Sequence, residues 1–406
     1  MLKNAFRGFK RAGVKPTAGR AGRKGNLRLR LAGAAAAMLC GLSFILPAQA
    51  EGVGGLSSLS AVLYEPESGQ VLYEKDAHTP RPMASTTKLM TALLAVENCP
   101  PETEITVTAE AVRVEGSALG LRAGDRITME DLVTGLLLES GNDAANVIAY
   151  TVAGGIPAFA ELMNARAAEI GMEDTTFVTP SGLDEGEHAS SAYDMALLAA
   201  EVLENETLAA VCATKTAVIR FGNPPREVTV SNHNKLLHLY PYAIGMKTGF
   251  TKKSGRCLVS AARKDGAALI AVTLNGGDYW NDHIALYNYG FTQVESVALT
   301  APELPALAIA GGQADSVALQ TPAPPAKTLL AGEKERLRTA IELPRFLIAP
   351  VTPGQEVGCV RYFAGDRELC CLPITAAASV GERTVAGYWE RLWDYWRELL
   401  LGFLRL

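Results

Sequence analysis

Two short apolar runs, Ser60–Tyr64 and Gln70–Glu74, flank the turn signal Ser68-Gly69 and predict a β-hairpin. After Pro82 the pattern becomes helical over Ser85–Val96. Helical patterns follow at Met129–Leu138 and Asp143–Val152, on either side of a Ser140-Gly141-Asn142 corner, then at Ile156–Ile170 and Tyr193–Leu203. Val228–Val230 opens a β-rich stretch. Ile244–Thr248, Cys257–Ala262 and Leu269–Leu274 predict three strands separated by the turn signals Lys253-Ser254-Gly255 and Asp265-Gly266. Neighbouring strands with helices segregated between them predict an α+β fold, an antiparallel sheet with helices packed against it.

Past Phe291 the texture changes. Residues 301–328 hold several prolines and few large apolar groups. Short β-type runs at Phe346–Ile348 and Val357–Tyr362 follow, with turns at Pro353-Gly354 and Gly365-Asp366. We read 51–293 as one domain and 294–378 as a small β domain; no internal repeat is visible. The last segment, 379–406, holds three of the four tryptophans (Trp389, Trp393, Trp396). On a helical wheel its charges fall in one arc and its aromatic and leucine side chains in the rest, with Leu401 out of place. Such a helix suits a lipid headgroup zone, although a helix docked on the protein itself would share the pattern. Its charges and length argue against spanning a membrane.

The 406 residues carry a formal charge of −5, which hides an asymmetry. Residues 1–30 contain ten Lys or Arg and no acidic side chain. An uncharged apolar run, Leu31–Leu46, follows, then Pro47 and a small-x-small Ala48-Gln49-Ala50. Residues 1–50 therefore read as an export signal with a cleavage site, the run being short for a spanning helix. Without it the chain is strongly acidic, which argues against nucleic acid as a partner. Six cysteines remain, Cys99, Cys212, Cys257, Cys359, Cys370 and Cys371, an even count that permits disulfides at a density too low for a disulfide scaffold. No C-x-x-C or His/Cys cluster suggests a metal, and no cofactor is expected. The histidines His78, His188, His233, His238 and His283 are scattered and are expected to be mostly surface or satisfied structural residues.

Three short motifs carry the chemistry. Ser85 and Lys88 stand three residues apart on a predicted helix and share a face. A serine hydroxyl is a weak nucleophile until a base takes its proton, and lysine serves only if its pKa falls far below about 10.4. Burial and a second cation would both lower it, and Lys247 is the candidate cation. Ser140 can relay a proton to the leaving amine, and Asn142 can hydrogen-bond a substrate amide and orient Lys88. On a predicted strand, Lys247 and Thr248 can hold a substrate carboxylate, and Gly249 keeps the surface bare for an approaching peptide. The backbone N–H groups of Phe250 and Ser85 can form an oxyanion hole. Each motif alone would be read as a cap, loop or turn; the weight lies in three motifs in order.

Ala84-Ser85-Thr86-Thr87-Lys88-Leu89-Met90-Thr91, Ser140-Gly141-Asn142-Asp143-Ala144 and Gly245-Met246-Lys247-Thr248-Gly249-Phe250-Thr251 resemble the low-molecular-mass penicillin-binding proteins, serine-type D-alanyl-D-alanine carboxypeptidases of peptidase family S11. Pro180-Ser181-Gly182-Leu183-Asp184 and Ser191-Ala192-Tyr193-Asp194-Met195-Ala196 add to the likeness, which is clear over roughly 55–292 and looser beyond. The resemblance implies a penicillin-recognising serine transferase/β-lactamase-like fold. It also implies that peptidoglycan stem peptides ending in D-Ala-D-Ala acylate Ser85, that β-lactams are covalent inhibitors, and that the protein works at the outer face of the cytoplasmic membrane. Phe250 departs from the family, which often has a polar or hydroxylated side chain there. The alternatives are a DD-endopeptidase on peptidoglycan cross-links, a class A β-lactamase using Glu201 and Asn205 as an E-x-x-x-N pair, and a non-catalytic wall-binding protein.

Overall fold

The structure, a computed structural model, describes residues 53–403. The expected leader and its cleavage site lie outside the described residues. In chain order come β1 (Ser60–Glu65), β2 (Gln70–Lys75), α1 (Lys88–Asn98), β3 (Glu104–Thr106), β4 (Arg126–Thr128), α2 (Met129–Leu138), α3 (Asn142–Ala153), α4 (Ile156–Ile170), α5 (Ala192–Glu204) and α6 (Glu206–Ala213). Then follow β5 (Thr216–Gly222), β6 (Pro225–Ser231), α7 (Leu236–Leu239), β7 (Ala243–Thr251), β8 (Gly255–Lys264), β9 (Ala267–Gly276) and α8 (Tyr279–Gly290).

Five strands form one antiparallel sheet in the order β2-β1-β9-β8-β7. Its two faces explain its continuous apolar sequences. Alternate side chains of one strand point to opposite faces. Val62, Val259 and Val272 pack into the core shared with α1 to α5, whereas Leu63, Leu258 and Ala271 pack against Leu286 and Tyr287 of α8. Both faces being covered, β1, β8 and β9 are buried over most of their length. The edge strand β7 pairs only with β8, which leaves its other edge open toward the start of α1. The α+β architecture is borne out.

The structure departs from the sequence-based expectation in three places. The helix expected from Ser85 opens instead as a 3-10 turn over Ala84–Thr87, and α1 proper begins at Lys88. Ala84 has φ +50°, and both the N–H and the hydroxyl of Thr86 bond to the Met83 carbonyl, which tightens the entry. A second sheet, β3-β4-β5-β6, was visible only through its last strand. Its short members pair across long sequence separations and carry too few residues to show a period. Helices α6, α7 and α8 were also not expected; α7 has only four residues, and α8 is rich in Tyr, Asn and Trp, residues of modest helix propensity.

Beyond α8 the chain builds β10 (Val294–Ala298), β11 (Leu307–Ala310), β12 (Ser316–Val317), β13 (Leu319–Gln320), β14 (Ala326–Leu330), β15 (Leu337–Glu342), β16 (Leu347–Ile348), β17 (Glu356–Ala364) and β18 (Arg367–Ala376). They form a β10-β14 pair, a β12-β11-β16 sheet and a β13-β18-β17-β15 sheet. Two small cores hold them, one around Leu307, Ile309 and Val351, the other around Val360, Tyr362 and Ile374. Glu67, in the β1–β2 turn, accepts hydrogen bonds from Lys327 Nζ and Thr328 N, both at 2.7 Å. The final helix, α9 (Val385–Phe403), leaves Tyr388, Trp389, Trp393, Tyr395 and Trp396 open to solvent; Trp393 is 74 % exposed. Among the described residues no single helix is long and apolar enough to cross a membrane. All six described cysteines are free thiols. Of the histidines, His188 and His283 are buried, the latter bonded to Ser260 and Thr273.

Candidate active site

Ser85 lies in the 3-10 turn and Lys88 one turn later, at the start of α1. The Lys88 side chain is fully buried. Its Nζ lies 2.9 Å from Ser85 Oγ and donates to Asn142 Oδ1 at 2.7 Å and to the Ser181 carbonyl at 2.6 Å. Burial pushes the amine well below the ordinary lysine range, Lys247 pushes it further in the same direction, and Asp143 opposes. A neutral amine keeps two N–H bonds and one lone pair. Asn142 Oδ1 and the Ser181 carbonyl only accept, so they occupy both N–H bonds and leave the lone pair aimed at Ser85.

The α2–α3 corner supplies Asn142. Gly141 precedes α3 and has no room for a side chain: a Cβ there would lie 2.9 Å from both Asp143 Oδ1 and Leu119 Cγ. Asn142 is pinned by two further bonds, its N–H to Ser117 O at 2.8 Å and its Nδ2 to Glu115 O at 2.5 Å. The Asp143 carboxylate accepts from the backbone N–H groups of Leu119, Gly120 and Leu121. The segment 115–121 is thereby tied to the residue that touches Lys88. Ser140 is buried, with φ +65°, but no hydrogen bond links its hydroxyl to Ser85, Lys88 or Lys247.

From the other side comes β7. Lys247 is 1 % exposed, its Nζ donates to Thr248 O at 3.1 Å, and burial pushes its pKa down to about 8, opposed by Cys212 and Glu139. Thr248 is half-buried, and Phe250 is 65 % exposed. Gly249 faces the turn that carries Ser85 so closely that a Cβ would stand 2.9 Å from Met83 O and 3.0 Å from Ser85 N. Ala84, Ser140 and Met246 all have positive φ. None is the Asn, Asp or Gly that tolerates this region, and one sits in or beside each motif, so backbone strain is concentrated where the site is assembled.

Sequence reasoning gave the segment 176–182 no role at the site, although Pro180-Ser181-Gly182 carried part of the family likeness. Its contribution is a backbone carbonyl, Ser181 O, and a carbonyl carries no residue signature. The available signal was Gly182, with φ +86°, where a Cβ would collide with the Ala84 carbonyl at 1.9 Å. The E-x-x-x-N pair is used elsewhere: Glu201 Oε2 accepts from Arg166 Nη2 at 2.6 Å, and Asn205 Oδ1 caps α6 by accepting from Leu208 N. Neither side chain serves Ser85, which removes the observation behind a class A β-lactamase.

Residues 48–278 match the family described as D-alanyl-D-alanine carboxypeptidase, peptidase S11. The chain belongs to this family of serine peptidases. Residues 305–382 match the C-terminal domain of penicillin-binding protein 5. A D-alanyl-D-alanine carboxypeptidase of Bacillus subtilis, DacF, is 29 % identical over 348 residues, covering 83 % of this chain and 89 % of the relative. A D-alanyl-D-alanine endopeptidase of Pseudomonas aeruginosa is 33 % identical but covers 53 % of this chain and 68 % of its own. The crystal structure of penicillin-binding protein 5 from Haemophilus influenzae superposes with a TM-score of 0.61 at 26 % identity, covering 81 % of this chain and 98 % of that one. S11 carboxypeptidases act through an active-site serine, process peptidoglycan peptides ending in D-Ala-D-Ala and bind β-lactams. The expected enzyme class is borne out.

Proposed function

We propose that this S11 enzyme removes the terminal D-alanine from peptidoglycan stem peptides through an ester on Ser85. Lys88 takes the Ser85 proton as Oγ attacks the penultimate D-alanine carbonyl. The C–N bond then breaks, and the proton passes through Ser140 to the leaving amine. Water attacks the ester, gives its proton to Lys88, and Ser85 is regenerated. Asn142 orients Lys88 and the substrate amide, and Lys247 and Thr248 hold the terminal carboxylate. Gly249 lets the peptide lie against β7, and the N–H groups of Ser85 and Phe250 stabilise the oxyanion. β-Lactams acylate the same serine.

The observation that carries this reading is the buried Lys88 amine, 2.9 Å from Ser85 Oγ, with both of its other partners pure acceptors. Carboxypeptidase is favoured over endopeptidase because the Bacillus subtilis carboxypeptidase aligns with 83 % of this chain and the Pseudomonas aeruginosa endopeptidase with 53 %. Residues 51–293 would be the catalytic domain, 294–378 a β spacer and 379–406 a membrane-surface anchor. The exposed Trp389, Trp393 and Trp396 support the last assignment, after removal of the leader 1–50 on export. The test is D-alanine release from a peptide ending in D-Ala-D-Ala, with intact-mass mapping of the penicillin adduct. Ser85→Ala should lose both; retained release would remove Ser85 as nucleophile.

A further inference from the structure

We infer that His188 is a positioning residue that fixes the Ser181 carbonyl, and through it the direction of the Lys88 lone pair. The inference rests on Lys88 being the base, as proposed above. His188 is buried, and its two ring nitrogens face two different parts of the site. Nδ1 accepts from the backbone N–H groups of Val178 at 2.9 Å and Thr179 at 3.3 Å. A nitrogen that accepts twice carries no proton, so in the neutral ring the proton sits on Nε2. Nε2 lies 2.8 Å from Thr87 Oγ1 and donates to it. Thr87 immediately precedes Lys88 and belongs to the turn that carries Ser85.

The contacts close a ring. Lys88 donates to Ser181 O; Val178 and Thr179, just before it in the chain, turn their N–H groups to His188; His188 holds Thr87, beside Lys88. Thr91 Oγ1 adds a second bond to the same segment, to Pro180 O at 2.6 Å. If the segment drifts, Ser181 O no longer occupies an N–H of the neutral amine. That N–H is then free to turn to Ser85 Oγ as a donor, the wrong direction for a base. Water also gains access to Lys88, and less desolvation means a higher pKa. The charged groups facing Lys88 are Lys247 and Asp143. Those facing His188 are Asp184, Lys253 and Lys88. Burial holds His188 down to about 4, so the ring stays neutral and bifunctional at working pH. A protonated ring would lose the Nδ1 acceptor.

The experiment is the pH dependence of the second-order acylation constant with a fluorescent penicillin, on the full chain. Thr87→Val removes the hydroxyl from the far side of the link. His188→Asn keeps an acceptor for the backbone N–H groups but cannot reach Thr87. Each single variant should lower acylation at pH 7 about tenfold or more and move the acid limb up by about one unit. The double variant should lose no more than either single one, because each breaks the same link. An acid limb unmoved in the folded variants, or additive losses, would overturn the inference. Failure of both variants to fold would also overturn it, since the pair would then support the domain rather than Lys88. Failure of the base assignment is distinguishable: the unsubstituted enzyme would itself show no acid limb.

Discussion

Gly249→Ala is the substitution that most directly tests how the cleft is built. The new methyl would stand 2.9 Å from the Met83 carbonyl, 3.0 Å from Ser85 N and 3.1 Å from Ala84 Cβ. Ordinary C···O contacts are about 3.3–3.6 Å, so the separation must open by roughly 0.5 Å. The turn cannot easily yield, because the Met83 carbonyl already accepts from both the N–H and the hydroxyl of Thr86. The shift therefore falls on β7, which as an edge strand is held by hydrogen bonds on one side only. It would carry the Phe250 N–H away from the Ser85 N–H and spread the proposed oxyanion hole. A displacement of 1 Å can cost about 10²-fold in rate, so half that should cost about tenfold. Overpacking should lower stability by about 1–3 kcal/mol, a fall of several degrees in Tm. Stopped-flow acylation with a fluorescent penicillin, alongside thermal melting, measures both. Acylation within twofold of the parent would refute the claim that Gly249 is needed for close approach.

Lys88→Ala should reduce acylation by about 10²–10⁴-fold while the protein stays folded; normal labelling would remove Lys88 as base. For a peptide ending in a carboxylate, kcat/KM should be bell-shaped in pH. It should rise as Lys88 loses its proton at a pKa far below the ordinary lysine value, then fall near pH 8 as Lys247 loses the charge that holds the carboxylate. A plateau continuing well past pH 8 would contradict that role for Lys247. Deleting residues 386–406 should release the protein from anionic lipid vesicles with acylation unchanged; a truncated protein that still pellets with vesicles would show that the anchor lies elsewhere.

Much of this protein is legible without coordinates, for identifiable reasons. Side-chain chemistry belongs to residue type, so Ser85, Lys88, Asn142, Lys247 and Thr248 could be named with candidate roles from three motifs in order. Long periodic runs such as Met129–Leu138 and Ile156–Ile170 declared their helices because their packing faces repeat every turn. Tertiary structure alone decided the rest. Lys88 donates to a backbone carbonyl at Ser181 and Thr87 bonds the ring of His188, 93 and 101 residues away, and neither separation leaves a local trace. The 3-10 entry at Ala84 and the left-handed backbone at Ser140 and Met246 run against residue preference and survive only because close packing outweighs a cost of about 1–3 kcal/mol each. Local propensity is written along the chain, whereas strain and long-range hydrogen bonds exist only once distant segments have met.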